Sequence, residues 1–298
     1  MGTSIALACY RELGAELRKR RLAAGLTEAQ LGGEVGWSAS KISRIESGQI
    51  RLSEVDVIHY LAFCGIYGKH CAELRALVRE ATPKPGYWLR QHEVGLPDST
   101  CTLIYHESTA IASTSYEPQF VPGLLQTEGY VRALATEQWP NSDIELAVRI
   151  RQERQRILHR PQPARFTYFL NERALQLTVG SLTIMHDQLL TLLLLDGLPH
   201  VSIRVVPAAA STQAMFSGSF RLLEYTDHQP LVYLDGPFCG LFLEDAEYVD
   251  AYRKLIPIIA DVALNEHDSR EYLASLASDY DREGAGLDVR DHVEEEHL

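Results

Sequence analysis

The sequence predicts an α+β fold that is mostly helical. We expect an N-terminal bundle of short helices, followed by a mixed domain in which helices flank a small, largely antiparallel sheet. Two observations predict this division. Helix caps and glycine stops alternate at short intervals over residues 8–66, whereas the alternation of apolar and polar residues that is typical of strands begins at Phe166. The chain has 298 residues, which is enough for two domains.

The stretch from Leu26 to Gly48 predicts two short helices joined by a tight turn. Thr27, with Gln30 three residues later, makes a capping box that starts the first of these helices. Gly36 ends that helix, because the turn needs a residue that tolerates a positive φ. Ser38 then offers a cap for the second helix.

Apolar residues of this stretch recur at helical spacing and are expected to point inward: Leu31, Val35, Ile42 and Ile45. Small and basic residues are left on the outer side of the second helix: Ala39, Ser40, Lys41, Ser43 and Arg44. This is the pattern of a helix-turn-helix, which lays its second helix in the major groove of DNA.

Helices on either side complete the bundle of four or five helices. The helix before the stretch has the inward residues Leu13, Leu17 and Leu22 and ends at Gly25. The helix after it is started by Ser53 and Asp56 and has the inward residues Val57, Ile58 and Leu61. An ordinary helical bundle also contains polar caps, but the joint spacing of caps, glycines and inward isoleucines favours DNA binding.

The segment resembles the Xre-type helix-turn-helix of phage repressors and their bacterial relatives. The resemblance implies base contacts from Ala39, Ser40 and Arg44. The whole set of residues predicted to contact DNA is Thr27, Ser38, Ala39, Ser40, Lys41, Ser43, Arg44, Gln49 and Arg51. Arg21 and Glu46 match a pair that forms a buried salt bridge in such repressors. Glu28 departs from the pattern, which usually has glutamine there, and a carboxylate is unfavourable near phosphates.

Charge is unevenly distributed along the chain. The net charge is −12, which is unusual for a protein that binds DNA. Residues 1–80 nevertheless carry 11 Lys and Arg against 9 Asp and Glu, or +2, and the remaining residues carry 17 against 31, or −14. A module of small positive charge binds DNA modestly and with strong salt dependence. A homodimer that reads two half-sites of a double-stranded operator would compensate.

Proline and composition divide the rest of the chain. We predict a helix-turn-helix domain at 1–80, a linker at 81–86, a C-terminal regulatory or dimerisation domain at 87–278 and an acidic, disordered tail at 279–298. The predicted helices are Gly68–Ala81, Cys101–Ser115, Thr127–Leu134, Asp143–His159, Asn171–Val179, Ser181–Leu195, Asp245–Leu264 with an interruption near Pro257, and Ser269–Leu276. The predicted strands are Phe166–Leu170, Val201–Val206, Ser219–Tyr225 and Leu231–Asp235.

This second part resembles a family of actinobacterial regulators. The motifs that carry the resemblance are EPQFVPGLLQTEGYVRAL, RIRQERQRIL, FTYFLNERALQLTVG, VSIRVVP and GSFRLLEYTDHQPLVYLD, in that order, and with the N-terminal segment the resemblance covers residues 10–277. The family is described as antitoxin-like transcriptional regulators that join an Xre-type helix-turn-helix to a C-terminal domain of unassigned role. The resemblance implies a small partner protein encoded nearby.

Residues with catalytic or metal-binding chemistry are sparse, and we expect no enzyme, no cofactor and no metal. Ser181 with His186 and Asp187 has no known triad spacing, and Asp235 with Glu244 and Asp245 reads as a set of caps rather than a carboxylate pair. His59, Cys64, His70 and Cys71 fit no zinc pattern, and the five cysteines include no CxxC, so we expect them to be reduced.

The sequence therefore predicts a cytoplasmic, dimeric transcription regulator without a membrane span or a signal peptide. Its C-terminal domain would dimerise and sense a partner or a small-molecule ligand, and the loop Ala210–Ser219 is a candidate for a lid or a partner contact. The alternative is an antitoxin-like interaction module that sequesters a small partner protein and binds DNA weakly or not at all. A second alternative is an enzyme with a DNA-targeting head.

Overall fold

The structure is a computed structural model that describes residues 8–67, 74, 78, 87–91, 98–138, 143–209, 218–236 and 239–295. The helices are α1 Ala8–Ala23, α2 Glu28–Val35, α3 Ala39–Glu46, α4 Glu54–Phe63, α5 Asp98–Thr109, α6 Glu128–Gln138, α7 Ile144–Gln155, α8 Glu172–Gln176, α9 Leu182–Leu195, α10 Ala246–Val262 and α11 Glu266–Glu295. The strands are β1 Tyr87–Gln91, β2 Ala112–Glu117, β3 Arg165–Asn171, β4 Val201–Val206, β5 Phe220–Glu224, β6 Leu231–Asp235 and β7 Cys239–Leu243.

The chain forms two compact units. The first lies within Met1–His92, Asp98–Ala110 and Leu223–Asp250, and the second within Glu93–Pro97, Ile111–Leu222 and Ala251–Leu298. The first unit thus takes up residues that the sequence assigned to the C-terminal domain. The predicted linker at 81–86 and helix Gly68–Ala81 fall outside the described residues, apart from buried Leu74 and Val78, and the division there stays a prediction.

Local chemistry explains the helices of the first unit. Thr27 and Gln30 form a complete capping box before α2, and Gly36 ends α2 in the left-handed region with φ 72°. Ser38 caps α3 by accepting from the Lys41 backbone N–H, and Ser53 caps α4. Each of these predicted caps is confirmed.

The core of the first unit joins the helix-turn-helix to later parts of the sequence. Buried side chains of α1–α4 pack with Leu103, Leu223, Tyr225 and Phe242. Two of the residues predicted to point inward are exposed instead: Leu22 is 58% exposed and Ile58 is 39% exposed. Tyr60 takes the inward place on α4 that was predicted for Ile58, because the buried set on α4 is spaced at Val57, Tyr60 and Leu61.

Strands of the first unit pair antiparallel. β1 pairs with β7 from Tyr87 opposite Leu243, and β6 pairs with β7 from Val232 opposite the same residue. α1 meets this region through hydrogen bonds. The Ala8 backbone N–H donates to the Glu244 carboxylate at 2.6 Å, and the Tyr105 hydroxyl on α5 donates to the Arg11 carbonyl at 3.1 Å.

The second unit is built on parallel strands. β2 pairs with β3, and β3 with β4, with Ala112 opposite Arg165 and Phe166 opposite Val201. α6 and α7 connect β2 to β3, and α8 and α9 connect β3 to β4, which is the crossover that parallel strands require. α9 and α11 pack together over a core that includes Met185 and Leu273.

The predicted α+β, mostly helical class is confirmed, with a larger sheet region than expected. The described residues contain seven strands rather than a small set, and their pairings are mixed rather than largely antiparallel. The predicted helix Cys101–Ser115 ends at Thr109 instead, and β2 begins within its predicted range, at Ala112. α10 continues through Pro257, where an interruption was predicted.

The C-terminal segment differs from the disordered tail predicted at 279–298. α11 continues to Glu295 as a helix of 30 residues. Its earlier turns are held by buried Leu273, Ala277 and Tyr280. The Tyr280 hydroxyl lies 3.1 Å from the carbonyls of Leu175 and Gln176. Of these three residues only Tyr280 lies in the predicted tail, where the acidic composition of the surrounding sequence hid its buried position.

Candidate nucleic-acid interface

α3 has a polar outer face and an apolar inner face. Ile42 and Ile45 are 0% and 1% exposed, and both point into the core. Ser40, Ser43 and Arg44 are exposed on the opposite side. Because α3 rises about 1.5 Å per residue, this outer face presents its side chains within roughly 10 Å of helix length. The described residues of that face include no carboxylate, since Glu46 points inward.

The residues predicted to contact DNA lie on accessible surface. Eight of them are exposed and Lys41 is half-buried; the exposed ones are Thr27, Ser38, Ala39, Ser40, Ser43, Arg44, Gln49 and Arg51. Two hydroxyls also work as caps: Thr27 Oγ1 bonds with Gln30, and Ser38 Oγ accepts from the Lys41 N–H at 3.1 Å. The Arg44 Nε donates to the Ser40 carbonyl at 3.4 Å, which leaves the rest of its guanidinium facing solvent. The assignment of DNA contacts to these residues stays a prediction.

A buried ion pair fixes the geometry beneath α3. The Arg21 Nε and Nη2 donate to the two Glu46 carboxylate oxygens at 2.6 and 2.8 Å. The Tyr60 hydroxyl donates to Glu46 at 2.6 Å, and Arg21 Nη1 donates to the Leu26 carbonyl at 2.7 Å. The hydrogen bond to Glu46 raises the pKa of Arg21 above its ordinary value, so the guanidinium stays charged. The predicted Arg21–Glu46 pair is therefore present, with a tyrosine that the sequence reasoning missed.

Glu28 has a local partner that explains why a carboxylate is tolerated there. Its side chain is 38% exposed, and its Oε1 lies 3.9 Å from Arg21 Nη2. Glu28 is the first residue of α2, and its carboxylate thus lies near the buried guanidinium of Arg21 on α1. This placement agrees with the expectation that Glu28 makes no phosphate contact, which itself stays a prediction.

Trp37 and Lys41 form a contact that the sequence reasoning also missed. The Lys41 ammonium lies 3.9 Å from the centroid of the Trp37 ring, in the geometry of a cation–π interaction. Trp37 lies two residues before α3, so the contact depends on where the neighbouring helices hold the indole and not on spacing within α3. The sequence predicts Lys41 on the outer face of the second helix and gives no sign of its contact with Trp37.

Two family models match the chain. One, for helix-turn-helix domains, matches residues 12–77. The other, described as a domain of unknown function (DUF5753), matches residues 100–275, which is more than half of the chain. The chain belongs to the DUF5753 family. No curated protein matches it at a significant level.

The DUF5753 protein thus carries a helix-turn-helix domain, which supports DNA binding and a role in transcription regulation. Among the described residues, no helix has the length and apolar character that a membrane span requires. The match to DUF5753 itself assigns no activity.

Four of the catalytic candidates in the DUF5753 region make structural contacts in the fold. Ser181 caps α9 by accepting from the Ile184 N–H, and His186 Nδ1 lies 2.9 Å from the Ala277 carbonyl. Asp235 accepts from the Tyr233 hydroxyl at 2.9 Å. Glu244 was predicted to be a cap in a first helical turn; it is instead buried and accepts from the Ala8 N–H.

The remaining candidates for ligands are only partly described. Cys64 is buried and its pKa is raised by that burial, whereas His70 and Cys71 of the same candidate metal set lie outside the described residues. Most of the loop Ala210–Ser219 lies outside them as well. A shallow groove is lined by Arg204, Asn265, Glu266 and His267. The Arg204 guanidinium donates hydrogen bonds to the backbone carbonyls of Ala260, Ala263 and Leu264, at and just after the end of α10.

Proposed function

We propose that this DUF5753 protein is a sequence-specific transcription regulator that binds a double-stranded operator as a homodimer, and that it acts without catalysis of its own. The observation that supports this most directly is the outer face of α3. Its serines, Lys41 and Arg44 are accessible while the helix is held from beneath by the Arg21–Glu46 pair. A rigid helix with small and basic side chains on its free face is suited to enter a major groove.

Homodimerisation is supported by two arguments. A single module of this size buries little DNA surface and carries a charge of only +2, so two half-sites are needed for specific affinity. In addition, α4 and the residues after it expose apolar side chains, among them Val55 at 73% and Tyr67 at 70%. Exposed apolar residues grouped in one segment are typical of interaction surfaces.

The DUF5753 region is proposed to sense a partner protein or a small ligand. The alternative, an antitoxin-like module that sequesters a small partner, rested on Glu28 and on the net charge of −12. The first of these supports is weakened, because Glu28 pairs with Arg21. Native mass spectrometry of the full chain would detect a bound small molecule or a co-purified small protein.

The role of Arg44 gives the test of the DNA-binding proposal. We expect Arg44→Ala to weaken binding to a duplex from the protein's own promoter region by about 5- to 150-fold, because a bidentate arginine–guanine contact is worth about 1–3 kcal/mol. Fluorescence anisotropy against salt concentration measures this.

Arg149→Ala is the matched control for the Arg44 variant. Arg149 is an exposed arginine on α7 of the second unit, outside the helix-turn-helix. Removing it deletes the same charge from the chain and should leave the affinity nearly unchanged. Equal losses in the two variants would mean that charge alone is responsible, and unchanged binding of Arg44→Ala would overturn the contact assignment.

A further inference from the structure

The contact between Trp37 and Lys41 lies at the start of the helix that we propose enters DNA. Lys41 is the third residue of α3, and its backbone N–H bonds to the Ser38 cap. Its side chain folds back toward the N-terminus of the helix, which is the direction that helical side chains favour. There the ammonium lies 3.9 Å from the Trp37 ring centroid while the residue keeps part of its surface in solvent.

Trp37 is held by the rest of the bundle rather than by α3. Its backbone N–H donates to the Gly32 carbonyl on α2 at 2.7 Å. A side chain at Gly32 would clash with the Trp37 carbonyl, since a Cβ there would lie 2.5 Å from that oxygen. The indole packs edge-on against His59 of α4, with ring centroids 6.1 Å apart and planes at 86°. The aromatic face under Lys41 is therefore fixed by α2 and α4 together.

A lysine at this position is otherwise poorly placed. The first turn of a helix carries the positive end of the helix dipole, which repels a cation. Among the described residues, no carboxylate lies within ion-pair distance of Lys41. Asp56 interacts with Lys41 only through its charge. Burial disfavours the charged form of Asp56, but the Ser53 hydrogen bonds and the charges of Lys41 and His59 outweigh this effect and lower the pKa of that carboxyl. The indole face supplies the direct attraction.

We propose that Trp37 is a positioning residue for DNA binding, whose indole face holds the Lys41 ammonium at the N-terminal end of α3 for contact with a backbone phosphate. This inference rests on the proposed function. A lysine side chain has about 2 kcal/mol of rotamer entropy, which is lost when it binds. Holding the ammonium in place before DNA arrives reduces that loss, so affinity rises without a contact between Trp37 and DNA.

A double-mutant cycle tests this proposal in the full-length chain. The variants are Trp37→Leu, Lys41→Gln and the two combined, with binding measured by anisotropy on a duplex that the wild-type protein selects from a random pool. We expect Trp37→Leu to weaken binding about 2- to 30-fold when Lys41 is present, the range that a cation–π contact supports. In the Lys41→Gln background the same change should alter affinity less than about 2-fold.

Two further readouts separate positioning from a structural role. Trp37→Leu and Lys41→Gln should each lower the salt slope of binding by up to about 0.9, the value of one phosphate contact. Trp37→Phe retains an aromatic face and should recover most of the affinity. If Trp37→Leu fails to unfold cooperatively in urea, Trp37→Phe replaces it in the cycle, with a smaller loss that again appears only when Lys41 is present.

The outcomes distinguish this inference from the proposed function. Equal losses from the Trp37 variant in both backgrounds, or no loss in either, would overturn the positioning role while DNA binding stands. Absence of any salt-dependent binding by the wild-type chain would overturn the proposed function, and the inference with it.

Discussion

Arg21 and Glu46 form an ion pair that is removed from water beneath α3. Side-chain exposure is 5% for Arg21 and 3% for Glu46, and both carboxylate oxygens accept from the guanidinium. Tyr60 completes the network from α4. A pair of this kind adds little net stability compared with apolar residues, but removal of one partner leaves the other charge buried. The pair therefore makes the position of α3 sensitive to single substitutions.

We predict that Glu46→Ala lowers the free energy of unfolding by about 3–5 kcal/mol, because Arg21 is then a buried charge without its carboxylate. Tyr60→Phe should cost less, about 1.5–3 kcal/mol, because it removes the hydroxyl that donates to the Glu46 carboxylate and lies 3.3 Å from the Leu17 carbonyl. Urea unfolding followed by circular dichroism measures both. The double variant Arg21→Met with Glu46→Leu is the control, and it should be far more stable than Glu46→Ala. Equal losses in these two variants would show that shape, rather than charge, explains the effect.

The sequence correctly predicts features that depend only on residues close together in the chain. It found the Ser38 cap and the exposed Arg44, because both follow from short spacing within one segment. It missed Tyr60, since Ile58 is the more hydrophobic side chain and periodicity over one short helix allows either to point inward. The contact between Trp37 and Lys41 was missed because it depends on where α4 holds the indole ring.

At the scale of elements, the start of α1 depends on a buried carboxylate. Glu244 follows β7 and accepts from the Ala8 N–H, which is one of the backbone donors left free at the start of a helix. Burial raises the pKa of Glu244 above 4.5, although the hydrogen bond from Ala8 opposes this. The neighbouring Cys9 is affected as well: burial and the Glu244 charge raise the pKa of its thiol to about 12, so the thiol stays protonated.

We predict that Glu244→Gln stabilises the protein at neutral pH, because glutamine can accept the same hydrogen bond without a buried charge. The folded state holds the Glu244 proton more tightly than the unfolded chain, so wild-type stability from this group falls as pH rises above 4.5. The advantage of the variant should therefore be absent near pH 4 and reach its full size above the raised pKa.

Urea unfolding midpoints at a series of pH values measure this difference. Glu34→Gln, at an exposed position on α2, is the control and should show no comparable gain with pH. A gain for Glu244→Gln that is the same at all pH values would contradict the account.

Most helices could be predicted, but fewer of the strands. Caps such as Asp143 before α7 and Ser181 before α9 mark helix starts within a few residues. β1, β2 and β7 were missed, because strand pairing joins residues that are far apart in sequence. β1 pairs with β7, which lies about 150 residues later in the sequence, so no pattern within either strand indicates that the two pair.

At the scale of the whole molecule, the helix-turn-helix shares a compact unit with part of the DUF5753 region. That family match spans residues 100–275, and α5, β6 and β7 from within it lie in the first unit. Contacts such as Tyr105 with Arg11 place DUF5753 residues directly against α1. The sequence could not indicate this, because composition and proline content mark where a chain is irregular, not which distant segments pack together.

We propose that this chain reads DNA sequence through α3 as a homodimer, and selection of duplexes from a random pool would test this. The full-length protein and Arg44→Ala would each be used, and the bound DNA sequenced. We predict that the wild-type protein enriches a two-fold motif with half-sites about 10–10.5 base pairs apart, and that Arg44→Ala loses enrichment at one position of each half-site. A wild-type pool indistinguishable from the starting library would contradict the claim.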